Sequence, residues 1–152
     1  MTVSNRTGLF GRTWVVIAIG GGVSGLISTI TTIEGASGFL EHLVWGAFAC
    51  IYVVGVWIGL RIAEGERESV RALTKYFWIQ VPVLQTSTVS YFFSAIGSLR
   101  VIYRGDSVLD FGWMIGGGWK FSFLSMQPQF GVGINVFPLV LIVICRAVSR
   151  FE

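Results

Sequence analysis

Charge is the first thing this sequence has little of. Of 152 residues, 11 are Lys or Arg and 8 are Asp or Glu, so 12% are charged while 53% are hydrophobic. Soluble globular chains carry about 25% charged residues, and the mean hydropathy here is +0.73. These figures exclude an ordinary soluble domain and a disordered segment, and they indicate an integral membrane protein. The net charge is only +3. In a membrane chain such a surplus reports topology before nucleic acid, so no nucleic-acid partner is expected.

Reactive side chains are equally scarce. The single histidine, His42, sits beside Glu41; it rules out paired-histidine haem ligation within one chain and leaves a histidine-based zinc site without ligands. Cys50 and Cys145 are the only cysteines, far apart and without a neighbouring Cys. That spacing carries no metal or redox motif, and two free, buried thiols are expected. The chain has no phosphate-binding loop, no GxSxG elbow and no HExxH, and no spacing supports Ser24 with His42 as a hydrolase pair. A protein without catalytic residues, cofactor or metal is therefore expected. With three prolines, no Ser-rich or charged linker and no internal repeat, residues 1–152 read as one domain.

Glycine, aromatics and long apolar runs are what the chain has instead: 20 Gly and 14% aromatic residues. Four apolar runs, 13–33, 42–60, 77–99 and 131–149, approach the roughly 20 residues that cross a ~30 Å hydrocarbon core as a helix. In the first, Gly21, Gly25, Ser28 and Thr32 share one face, and in the second Gly55 and Gly59 form a GxxxG pair. Such small-residue faces predict close helix packing. Trp45 and Trp57 lie near opposite ends of the second run, as interfacial anchors do. The third run is unusually polar on a helical period. Gln80, Ser87, Tyr91, Ser94 and Ser98 fall on one face and Val89, Phe92, Phe93, Ile96 and Leu99 on the other. That face serves either as interhelical hydrogen-bonding glue or as the lining of a solute path. In the fourth run, Asn135 and Pro138 mark a helix start or a kink.

Two connecting segments carry the remaining signals. In the basic loop 61–76, Arg67, Arg71 and Lys75 recur every four residues, with Glu64 and Glu68 placed to pair with them. Contact with anionic lipid headgroups is the functional reading. Between 100 and 130, Phe111, Trp113 and Ile115 alternate along one strand, and Trp119, Phe121 and Phe123 along another. Gly116, Gly117 and Gly118 separate the two. The pattern predicts a β-hairpin with an aromatic face, either a docking surface for a partner or an interfacial anchor.

The expected fold is therefore an all-α membrane protein: a bundle of four transmembrane helices with a β-hairpin in the outer loop between the third and fourth. With four spans, Arg6, Arg12, Arg61, Arg67, Arg71, Lys75, Arg146 and Arg150 lie on one side against Arg100, Arg104 and Lys120 on the other. The positive-inside bias then puts both termini in the cytoplasm, in a bacterial inner membrane. Uncharged spans, small-residue faces and an aromatic hairpin point to a non-enzymatic interaction protein. It would be an accessory or assembly subunit of a larger membrane complex, or a membrane-embedded binding or immunity protein, with lipid and a membrane protein or a second copy as partners. The alternative is a small homo-oligomeric channel or transporter lined by the polar face of the third helix.

Overall fold

The computed structural model describes residues 9–32, 38–66, 68–105, 109–123 and 130–148. Two of the four apolar runs are long helices, α1 (Leu9–Thr32) and α2 (Phe39–Ala63). Both are long and apolar enough to cross a membrane. They pack antiparallel, because glycine on each lets the other approach. A Cβ on Gly25 would collide with the Tyr52 ring, and one on Gly59 would lie 2.7 Å from Ile19 Cγ1 and 3.0 Å from Ala18 Cβ. Most of the outer surface of both helices is bare and apolar, including Val16, Ile27 and Ile30 on α1 and Val53, Trp57 and Leu60 on α2.

The charged segment that follows folds into α3 (Glu68–Trp78). Its apolar positions, Leu73, Tyr76 and Phe77, are buried, while Arg71 and Lys75 are exposed. Tyr76 lies against Gly55, and the Phe77 ring is 6.3 Å from that of Trp14.

Beyond Trp78 the chain departs from an all-α bundle. The run 77–99 is not a third transmembrane helix. It holds the end of α3, then β1 (Pro82–Gln85), β2 (Val89–Ser94) and the start of β3 (Gly97–Arg104). The run 131–149 likewise opens as a strand, β6 (Gly131–Asn135), and only then becomes α4 (Val136–Val148), 13 residues long. Pro82 forces Val81 out of the helical region. Thr86 then closes a tight turn, its N–H donating to Val89 O at 2.9 Å and its Oγ1 accepting from Val89 N at 2.8 Å. The β-branched and aromatic residues Val83, Val89, Tyr91, Phe92 and Phe93 favour the strands on either side.

With β4 (Leu109–Ile115) and β5 (Gly118–Phe123), these strands form one six-stranded antiparallel sheet of order β4-β3-β6-β1-β2-β5, curled into a half-barrel. The expected hairpin 111–123 is corrected here. Both segments are strands, but β4 and β5 are opposite edges of the sheet and do not pair with each other. Val89 pairs with Phe123 and Ser94 with Gly118; in the same register, Gly97 pairs with Ile115 and Tyr103 with Leu109. One long two-stranded ribbon thus runs through β2–β3 and β4–β5, bent where Ala95–Ile96 faces Gly116–Gly117. Gly116 supplies the bend with a φ of +99°, which only glycine adopts readily, and its N–H donates to Ile96 O at 2.7 Å. β1 and β6 fill the angle between the two arms.

Candidate functional site

The bend is held against the middle of α1. Gly117 N–H donates to Ser24 Oγ at 2.9 Å, and a Cβ on Gly117 would lie 2.5 Å from Gly25 N. Two side-chain amides complete the junction. Gln80 Oε1 accepts from Ala95 N–H at 2.9 Å, and Asn135 Oδ1 accepts from Leu99 N–H at 3.0 Å and from Phe137 N–H at 3.3 Å. Tyr52 on α2 donates its hydroxyl to Ser94 O at 3.0 Å.

Paired residues on neighbouring strands share a face, so the register sorts the sheet into two surfaces. The convex surface is apolar throughout. Its β2–β5 half rests on this chain's own helices: Tyr91, Phe93, Trp119 and Phe121 surround Phe48, with the Trp119 ring stacked on Phe48 at 4.4 Å and 11°. Trp119 Nε1 also donates to Thr29 Oγ1 at 3.1 Å. The β4–β3–β6 half is bare. Phe111, Trp113 and Ile115 are 67%, 75% and 86% exposed, and Leu99, Tyr103, Leu109, Val132 and Ile134 adjoin them, each about half exposed.

The residues expected to form one aromatic docking face are therefore divided. Phe111 and Trp113 stand open, Trp119 and Phe121 pack on α2, and the Phe123 side chain lies outside the described residues. β4 is also a free edge. Because Gly116 N–H bonds Ile96 O, ladder alternation turns the even-numbered residues of β4 toward β3. The N–H and C=O groups of Leu109, Phe111, Trp113 and Ile115 then point away from the sheet. Among the described strands, β4 pairs with β3 alone.

The concave surface has the opposite character. Val83, Phe92, Ile102 and Met114 make a small core, around which stand Ser98, Arg100, Arg104, Asp110, Lys120 and Asn135. Arg104 pairs with Asp110, and the Arg100 guanidinium carbon lies 4.6 Å from the Phe92 ring centroid. Sequence reasoning missed this surface, although the alternation of Ser98, Arg100 and Arg104 with Leu99, Val101 and Tyr103 was its signal.

The other expected site residues are dispersed. Gln80, Ser87, Tyr91, Ser94 and Ser98 do not share a helix face, since no such helix exists. Gln80 sits in the turn before β1, Ser87 in the exposed β1–β2 turn, and Tyr91 on the convex surface donating to Ile79 O at 2.7 Å. Ser94 and Ser98 are buried on the concave side. Burial pushes the Tyr91 hydroxyl up to about 12. Gly21 meets Ala95 and Ile96 at the bend, Ser28 is half-buried on α1, and Arg67 lies outside the described residues. Of the thiols, Cys145 is buried, but Cys50 is exposed, contrary to expectation, because it falls on the outward side of α2. No group of His, Cys, Asp and Glu among the described residues could hold a metal ion.

No protein-family model matches the chain, and neither the curated proteins nor the solved structures give a match.

Proposed function

We propose that the protein is a non-enzymatic, membrane-embedded interaction protein, an accessory or assembly subunit or a binding protein of the immunity type, that receives its partner along β4. The observation that carries this reading is the combination, on one strand, of a bare apolar face and an unpaired backbone edge. The other half of the same convex surface is covered by helices and packed with aromatic rings, so the chemistry of the bare half suits an equivalent cover. Contiguous apolar patches of several hundred Å² are uncommon on monomers and mark interaction surfaces. Lipid alone is a poor cover, because each unpaired backbone group in hydrocarbon costs several kcal/mol. Water is no better, since a long apolar edge without Lys or Pro invites pairing with another chain. A protein strand added to β4 answers both demands, with main-chain bonds supplying affinity and Phe111 and Trp113 supplying contact area.

In this reading α1 and α2 cross the membrane. The N-terminal arginines and the basic segment carrying Arg61, Arg71 and Lys75 then fall on one side, the cytoplasmic one by the positive-inside bias, as in a bacterial inner membrane.

The test is the composition of the particle extracted from its native membrane in a lipid-retaining medium, with a photo-crosslinking residue at position 113. A mixed particle crosslinked through β4 is expected. Trp113→Pro, which deletes an outward N–H at an edge position where proline is tolerated, should release the partner with the far-ultraviolet circular dichroism unchanged. A lone chain with lipid, or a partner that stays bound to the Trp113→Pro variant, refutes the reading.

A further inference from the structure

A cleft of about 400 Å³ opens between the first turns of α2 and the edge strand β5, away from β4. Its size is that of a small-ligand site. Glu41, Val44 and Trp45 line it from α2, with Leu40 beside them, and Trp119 and Phe121 line it from β5. Spacings of three and four residues put Glu41, Val44, Trp45 and Phe48 on the one face of α2 that meets β5. The aromatic wall is fixed without a ligand. Trp119 stacks on Phe48 at 4.4 Å, meets Trp45 edge-on at 4.6 Å and 80°, and donates its Nε1–H to Thr29 Oγ1 at 3.1 Å. The Phe121 ring lies 6.4 Å from that of Phe48. A wall already held in place needs little further ordering when something binds. Glu41 is the one charged residue lining the cleft among the described residues. Lys120, between Trp119 and Phe121 in sequence, projects from the opposite face of β5.

From this arrangement we infer that the cleft binds an organic ammonium group, its charge met by the Glu41 carboxylate and its carbon atoms by the rings of Trp45, Trp119 and Phe121. Aromatic rings attract a cation through their quadrupole, and a carboxylate at the rim adds the full opposite charge. The positive end of the α2 dipole opposes a cation, but it amounts to about half a unit charge against the whole unit on Glu41. An anion would meet Glu41 as a like charge. A neutral apolar ligand would cover the carboxylate without pairing it, at a cost. The ammonium group can come from a free amine or from the headgroup of an aminophospholipid, and its contacts in the cleft are the same for both. Leu40 on the cleft wall is exposed, and so are Phe39 and Leu43 beside it, which offers an acyl chain an apolar path along α2. This end of α2 lies opposite the basic segment that follows Arg61, at the outer headgroup level in the orientation proposed above. Only the lipid source rests on α1 and α2 crossing the membrane; the cleft itself depends neither on that nor on a partner at β4.

The experiment uses the full chain purified in maltoside micelles and amine-free buffer, with two calorimetric titrations at constant ionic strength. One adds ethanolamine hydrochloride against sodium chloride; the other adds phosphatidylethanolamine against phosphatidylglycerol with the same acyl chains. Binding in at least one titration is expected, and equal heats from phosphatidylglycerol count as no binding in the second. Glu41→Gln and Trp45→Leu should each weaken it by at least about threefold, the scale of a partly exposed ion contact or a cation–π contact. Trp45→Phe, which keeps an aromatic face, should fall between Trp45→Leu and the parent. Binding of ethanolamine assigns a soluble amine, and binding of phosphatidylethanolamine alone assigns a lipid headgroup. Absence of binding in both titrations overturns the inference. So does an affinity that Glu41→Gln leaves unchanged, or one that Trp57→Leu, at the far end of α2, lowers as much as Trp45→Leu does.

Discussion

Replacing Asn135 by alanine removes one acceptor from two backbone N–H groups, that of Leu99 on β3 and that of Phe137 in the first turn of α4. Asn135 is 0% exposed, so water does not readily take over either bond. An orphaned buried donor costs about 1–3 kcal/mol, giving roughly 2–6 kcal/mol for two. The bond to Phe137 is the longer, at 3.3 Å, and lies at a helix start that can fray, which places the expected loss at about 2–4 kcal/mol. Asn135→Ser separates the two contributions. Serine caps a helix as well as asparagine but is too short to reach across to Leu99, so it should recover about half of the loss. The assay is equilibrium unfolding in mild detergent micelles with increasing dodecyl sulfate, followed by circular dichroism. If Asn135→Ala lies within about 1 kcal/mol of the parent, or if the serine variant is no better than the alanine one, the amide is not the clasp described here.

The helix pair α1–α2 gives a sharper steric prediction. Gly25→Ala should destabilise by about 1–3 kcal/mol through overpacking, because the added Cβ meets the Tyr52 ring, which is held in place by its bond to Ser94 O. Gly20→Ala, where nothing lies within 4 Å, should be neutral or stabilising by up to about 1 kcal/mol; equal effects at the two positions in the same unfolding assay would refute the packing. On α4, burial pushes the Cys145 thiol up to about 12 from an ordinary 9.0, a hydrogen bond with Thr74 pulling it partly back. The folded form therefore keeps a proton that the unfolded chain releases, so this contribution to stability is complete below pH 9 and is lost as pH rises from there. Cys145→Val should flatten the decline in unfolding midpoint as pH rises from about 9 towards 12, the window the shifted thiol spans, and an unchanged slope would count against it.

The two long helices were legible because each apolar run of about 20 residues also carries small residues at helical spacing and no proline. The run 77–99 was not, although it is as long and equally free of charged residues. Hydropathy records that a segment avoids water; it does not record whether the segment meets lipid as a helix or stacks in a sheet. Gln80, Ser87, Tyr91, Ser94 and Ser98 fit a helical period, yet Pro82, the β-branched neighbours and the Thr86–Ser87–Thr88 turn carried the opposing local signal. The strands 111–115 and 119–123 were readable from alternation. Their partners were not, because pairing with β3 and β2 depends on a bend at Gly116–Gly117 where a hairpin turn also fits. The concave polar surface needed three-dimensional knowledge of which face curls inward. Once that is known, Arg100 and Arg104 stop being loop charges and become the lining of an interior.

The place of β6 in the sheet also governs the order in which the molecule can be completed. β6 lies between β3 and β1, yet of the six strands it is the last to be made. Until it arrives, the only strand pairing that links the β3–β4 arm to the β1–β2–β5 arm is the bent ribbon. The closing segment carries Asn135 and leads directly into α4, so the same short stretch that fills the gap also clasps Leu99 and docks the final helix. A nascent chain that stops at residue 130 would hold both arms and no wedge between them, which makes the segment from Gly131 to Val148 the step that commits the whole sheet to its shape.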